Sequence, residues 1–109
     1  MTLQELLNAI QQGQNVQGAD FSGVDFAGAN FSGADLRNTM MKRANLRACN
    51  FTKADLRGSD LSETDLCDAD LTGAKLRRAN LTQSNRIGSK IQQWALKGAY
   101  IAGPTAYVD

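Results

Sequence analysis

A large apolar residue recurs at every fifth position from Phe21 to Leu81, and this period constrains the fold more than anything else in the chain. The centres begin Phe21, Phe26, Phe31, Leu36, Met41 and continue through Leu56 and Leu61 to Leu76 and Leu81. Two residues before each centre lies a small one, such as Ala29, Ala44, Cys49, Ser59 or Ala74, and between the two lies mostly Asp or Asn. A helix, with about 3.6 residues per turn, would smear such a repeat around its circumference. A flat strand would send successive centres to opposite faces, because its period is two and five is odd. The pattern becomes consistent when the chain turns a corner once per pentad. Each centre and the small residue before it then face one axis, and the other three positions face solvent. Four sides close a coil of twenty residues, and successive coils stack as parallel strands about 4.8 Å apart.

Glycine supports this independently. All ten glycines fall two after a centre, including Gly13, Gly18, Gly88, Gly98 and Gly103 outside the clearest repeat. Corners require positive φ at some positions, which glycine adopts without steric cost. The coil is therefore expected from about residue 15 to Gly103 and is clearest over 19–83, with residues 104–109 as a C-terminal tail. Ile91, Leu96 and Ile101 are its last centres.

The pentads "ADFSG", "ANFSG", "ADLRN", "ADLRG", "ADLTG" and "ANLTQ" resemble the pentapeptide-repeat family, whose pattern is A(D/N)LxX. The resemblance is specific over residues 19–83. It implies an all-β fold, a right-handed quadrilateral parallel β-helix; the length of 109 residues suits one domain spanning residues 1–109. The resemblance implies no single activity. The best-known members resemble double-stranded DNA in shape and charge and bind topoisomerase, and many others occur in bacteria, cyanobacteria especially. C-terminal ends in the family often pair two chains, which makes a homodimer through that end one expectation.

Residues 2–13 read as a short capping helix. Thr2 and Glu5 have capping-box spacing, Leu3, Leu6, Leu7 and Ile10 share one face, and Gly13 ends it. The helix would cover the open end of the stack, whose unpaired strand edges invite aggregation. The charge is near balance, 12 Lys and Arg against 11 Asp and Glu. That argues against both a nucleic-acid-binding chain and an acidic DNA mimic. The sequence contains no histidine, and its polar residues repeat evenly instead of converging. Neither an enzyme nor a cofactor or metal site is expected. No apolar run approaches the length of a membrane helix. Cys49 at an inward position and Cys67 at an outward one lie on different sides of the coil, so both should be free thiols, and a reducing cytoplasm is the simplest compartment.

One stacked side places Arg86 at an inward position above Phe26, Leu46 and Leu66. A buried unpaired charge is costly, so the coil is expected to deform there, with Ile87 swinging in. The alternative is a helix from Ser89 to Gly98. Trp94 is too large for an inward small slot. Trp94, Tyr100 and Tyr107 therefore either cap the stack or meet a partner, and Pro104 should end it. The most distinctive surface feature is Arg37, Arg57, Arg77 and Lys97, stacked at the coil period. Asp35 and Asp55 flank the first two, while Lys75 and Arg78 add charge near the upper end with no acid beside them. The favoured function is a non-enzymatic protein-interaction or structural rod, with another protein docking on this stripe. The alternatives are a DNA-mimicking topoisomerase (gyrase) binder and a weak phosphate-backbone binder.

Overall fold

The computed structural model describes residues 2–101. Helix α1, Leu3–Gln11, opens the chain, and the Thr2 hydroxyl caps it by accepting the Glu5 N–H at 3.1 Å. Leu6 and Ala9 are buried in the same core as Val16, Phe21 and Phe26, and Leu3, Leu7 and Ile10 pack against it. The apolar stripe of α1 therefore lies on the first coil.

Beyond α1, single-residue parallel bridges join positions twenty apart into four columns. The first side runs Asp20, Met40, Asp60, Asn80, Tyr100, and the second Asp25, Asn45, Asp65, Asn85. The third runs Asn30, Asn50, Asp70, Lys90, and the fourth Asp35, Asp55, Lys75. No side is long enough for an extended strand, because the corner comes first. At most corners the small residue closes a four-residue turn, as where Val24 donates to the Phe21 carbonyl at 3.2 Å. The third residue of that turn, Gly23, has φ +72, the signature of a type II turn. An Asp or Asn before the centre tightens the next turn by accepting an N–H two residues on, as Asp20 does from Ser22 at 3.0 Å. Among the described residues, eight non-glycine ones, Asn38 and Lys53 among them, adopt the same left-handed conformation. Each costs about 1 kcal/mol, which the stacking of the coils must offset.

The axis is filled. Phe31, Leu36, Leu46, Phe51, Leu56, Leu61, Leu66 and Leu71 are all 0% exposed. Phe26 meets Phe31 edge-on at 5.5 Å, and Phe31 stacks on Phe51 at 5.1 Å. Inward hydroxyls cost nothing unpaired, because each bonds its own turn: Thr39 donates to the Leu36 carbonyl at 2.8 Å and Ser59 to that of Leu56 at 2.7 Å.

Three expectations need correction. The coil does not deform at Arg86. Asn85 bridges Asp65, Lys90 bridges Asp70, and Gly88 keeps φ +76, so the backbone holds the repeat. Ile87 stays outside, 75% exposed, while Arg86 is half-buried. The irregularity comes later, at a 3-10 turn over Gln93–Leu96, and no helix runs from Ser89 to Gly98. Ser89 does not cap a helix; its hydroxyl donates to the Arg86 carbonyl at 2.7 Å as in any other turn. The turn coincides with Trp94, which is too large for the slot for small inward residues that its position marks. The indole is expelled, 66% exposed, and Ala95 takes the buried place at 5%. From 18 to 98 the left-handed corner is kept in every pentad except at Gln93. Gly98 restores the phase with φ +83, and Asn80 bridges Tyr100. Finally, Cys67 lies outside the core cluster but is covered, only 7% exposed. Both cysteines are free, and burial pushes the Cys49 thiol up to about 11. Gly103, Pro104 and Tyr107 fall outside the described residues.

Candidate functional site

The fourth side carries the arginine ladder. The position after the centre points to solvent, so twenty-residue stacking sets Arg37, Arg57 and Arg77 in line. Its lower half is internally neutralised. Arg37 donates to Asp35 through Nε and Nη2, both at 2.9 Å, and its Nε lies 3.8 Å from Asp55 Oδ2. Arg57 grips Asp55 in the same two-pronged way, at 2.8 and 2.6 Å. Two-pronged pairs are the strongest geometry open to these groups. The Arg37 guanidinium holds the Asp35 carboxyl below its ordinary range, and the Arg57 guanidinium does the same for Asp55.

The upper half differs. Lys75 occupies the place where Asp35 and Asp55 sit below. Among the described residues, Arg77, Arg78, Lys75 and Lys97 are in no ion pair. Two shallow troughs flank the ladder and share Arg57 and Arg77. One, of about 260 Å³, is lined by Arg37, Asn38, Gly58 and Arg78, and the other, of about 190 Å³, by Lys75, Trp94, Ala95 and Lys97. The sequence placed Lys97 in the ladder, and it does reach the upper trough. It arrives there from the 3-10 turn, however, because the bridges of this side end at Lys75.

Trp94 and Tyr100 line different troughs. Trp94 walls the upper trough of the fourth side. Tyr100 lies on the first side, in a trough of about 550 Å³ with Lys42, Asp60, Asn80 and Arg78. Lys42, Arg43 and Arg47 form a second basic cluster on another corner, and each meets an acid about one coil up: Lys42 and Arg43 approach Glu63 at 3.4 and 3.6 Å, and Arg47 meets Asp65 at 3.1 Å. Among the described residues no group of three or more His, Cys, Asp or Glu side chains is placed to hold a metal ion, and no helix is long and apolar enough to cross a membrane.

A stack of four-sided coils with a filled axis and a repeating polar surface defines a repeat solenoid. The family model described as pentapeptide repeats matches it with eight copies over residues 12–43 and 44–83, and the chain belongs to the pentapeptide-repeat family. It is similar to a pentapeptide repeat protein of the Arabidopsis thaliana thylakoid lumen, with 35% identity over 81% of this chain and 65% of that one, at TM-score 0.46. A pentapeptide repeat protein from Nostoc PCC 7120 shares 31% identity over 94% of this chain and 87% of that one, at TM-score 0.45. QnrB1, a plasmid-mediated fluoroquinolone resistance protein, shares 23% identity over 80% of this chain and 52% of its own, at TM-score 0.57, a likeness of fold alone. The chain thus spans under two thirds of the first of these and about half of the last. No curated protein matches it.

Proposed function

We propose that this chain is a single-domain, non-catalytic docking rod, a right-handed quadrilateral β-helix from about residue 15 to the last described residue, 101, capped by α1, whose fourth side receives an acidic surface of another protein. The observation that carries this reading is the line of Arg37, Arg57, Arg77 and Lys97 on one outer side of a coil with a filled axis. A filled axis leaves the outside as the place for recognition. The even spacing of polar side chains suits a flat contact better than a reaction centre.

Mimicry of DNA before a topoisomerase requires a continuous acidic column. Here the acids of the third coil, residues 55–74, form one band between basic neighbours, so the docking reading is preferred. Two free buried thiols fit a reducing cytoplasm. Pairing of two chains through the C-terminal end is a compatible arrangement, with Trp94 and Tyr100 on its rim.

The test is the double variant Arg57→Glu, Arg77→Glu. Arg77 is in no ion pair but Arg57 gives up its two bonds to Asp55, so the unfolding free energy should fall by about 1–2 kcal/mol with the fold retained. Capture of acidic partners from native lysate should be lost. An unchanged partner set with an intact fold would overturn the docking function.

A further inference from the structure

The charges of this rod are banded by coil. Residues 35–54 carry Arg37, Lys42, Arg43, Arg47 and Lys53 against Asp35 alone. Residues 55–74 carry six acids, from Asp55 to Asp70, against Arg57 alone. Residues 75–94 carry Lys75, Arg77, Arg78, Arg86 and Lys90 and no acid. The lower basic band is paired with the acidic band above it through Arg37–Asp55, Lys42–Glu63 and Arg47–Asp65. Among the described residues, no cation of the upper band is in an ion pair, nor is Lys97 above it. Two large apolar side chains of this band are exposed among the described residues, Ile87 and Trp94, and of these Trp94 shares the trough of about 190 Å³ with Arg57, Lys75, Arg77 and Lys97.

Resting on the docking function above, we propose that the occupied site is confined to the upper end of the fourth side, and that its ligand is a short acidic peptide segment carrying one aromatic or branched apolar side chain. That side chain lies against the Trp94 indole, and carboxylates on either side of it reach Arg77, Lys75 and Lys97. Arg37 lies outside this trough, and Arg57, which borders it, keeps Nε and Nη2 on Asp55, so neither supplies the main anion contact. An exposed indole ringed by cations has the composition of an interface anchor: a large amphipathic surface with Arg beside it. The banding selects a peptide over a polynucleotide. A nucleic acid strand brings one charge per nucleotide along its whole length, and beyond this one-coil band it meets the carboxylates of the third coil. A short segment keeps its acids within the band. The trough has room for one large side chain, which sets the ligand's apolar content at one residue.

The test uses dye-labelled acidic heptapeptides with a central Phe, Tyr or Leu, a charge-matched set with central Gly, and a ten-nucleotide thymidine strand. Binding is read by anisotropy and by fluorescence of Trp94, the single tryptophan of the chain. The peptides with an apolar centre are expected to bind and to shift the Trp94 emission, and the Gly set to bind at least about tenfold more weakly. Arg77→Gln and Lys97→Gln should each weaken binding about fivefold, Trp94→Ala more than tenfold, and Trp94→Phe by less than threefold, about the range of interface truncations. Arg37→Gln should leave it within about twofold. Trp94→Ala can also let the coil regularise, so Arg77→Gln and Lys97→Gln carry the test independently. Equal loss in Arg37→Gln and Arg77→Gln would overturn the confinement to the upper end while keeping the docking side. Binding by none of the peptides, or tighter binding of the thymidine strand, would overturn the peptide ligand. Docking of a larger folded partner would still be judged separately by the Arg57→Glu, Arg77→Glu pair.

Discussion

The two halves of the fourth side are built from the same pentad but differ in what precedes the centre. Below, Asp35 and Asp55 do two things at once: each caps its turn by accepting an N–H and pairs with the arginine two residues on. Above, Lys75 can do neither, and Arg77 faces solvent without an acid. The lower half thus uses its charge for internal order, and the upper half leaves it free. Regularity follows the same division. The bridges run Asp35, Asp55, Lys75 and stop where the chain enters the 3-10 turn at Trp94.

The largest test of this contrast is in the core. Leu56 lies mid-stack at 0% exposure, whereas Leu96 closes the irregular turn at 8%. Leu56→Ala should cost about 2–5 kcal/mol, and Leu96→Ala about half as much, because the end can relax around the gap. Denaturant melts decide this, and equal costs would mean that the upper end packs as tightly as the middle.

Asp55 is the next test. Its folded carboxyl titrates below the ordinary value of 3.8, chiefly through its bonds from Arg57. A depressed folded value means that the stabilisation is complete above the unfolded titration and is lost as pH falls through the folded one. Stability should therefore drop as pH is lowered from the ordinary carboxylate range, with Asp35 contributing in the same direction. Asp55→Asn keeps the turn acceptor but removes the charge. It should cost about 1 kcal/mol at neutral pH and blunt the acid loss, while Arg77→Gln should leave the acid profile as it is. An acid profile unchanged by Asp55→Asn would break the comparison.

If Trp94 alone causes the irregular turn, Trp94→Ala should restore the missing rung. Leu36 and Leu56 donate to the carbonyls of Asp55 and Lys75 one coil up, at 2.8 and 2.9 Å. In the variant Leu76 should donate likewise to Ala95, and its amide should exchange about tenfold more slowly with solvent, the effect of about 1.4 kcal/mol. Unaltered exchange would place the cause of the turn elsewhere.

The smallest effect separates the arginines themselves. Arg37→Gln removes exposed ion pairs and should cost about 0.5–1 kcal/mol, whereas Arg77→Gln should change stability by less than about 0.3 kcal/mol. Matched thermal melts at low salt would show the difference, and adding salt should shrink it.

Much of the site could be read in the sequence because its spacing is that of the fold. The in-line Arg37, Arg57 and Arg77, the neutralising role of Asp35 and Asp55, and the unbalanced cations near Arg77 all follow from a coil of fixed length. Reading Arg86 as the point of distortion was wrong because it weighed charge over shape. A long side chain on an outer coil can stay half-buried with its backbone in register, whereas an indole cannot enter a slot made for alanine or serine. The burial of Cys67 was missed because an outward position is exposed only if its neighbours one coil away leave it so. The pairing of Lys42 and Arg43 with Glu63 is not legible in the sequence, because Glu63 is about a coil away.

The sequence by itself determined the path of the backbone. The period of five, the small inward residues and the glycine phase leave one arrangement that buries every centre, and each coil repeats the instructions of the one before. The tertiary structure alone decided which charges are spent and which are free, and where the expelled Trp94 comes to lie. Those outcomes depend on long, flexible or oversized side chains reaching across coils, over distances that a repeat fixes for Cα atoms but not for guanidinium groups, carboxylates or an indole.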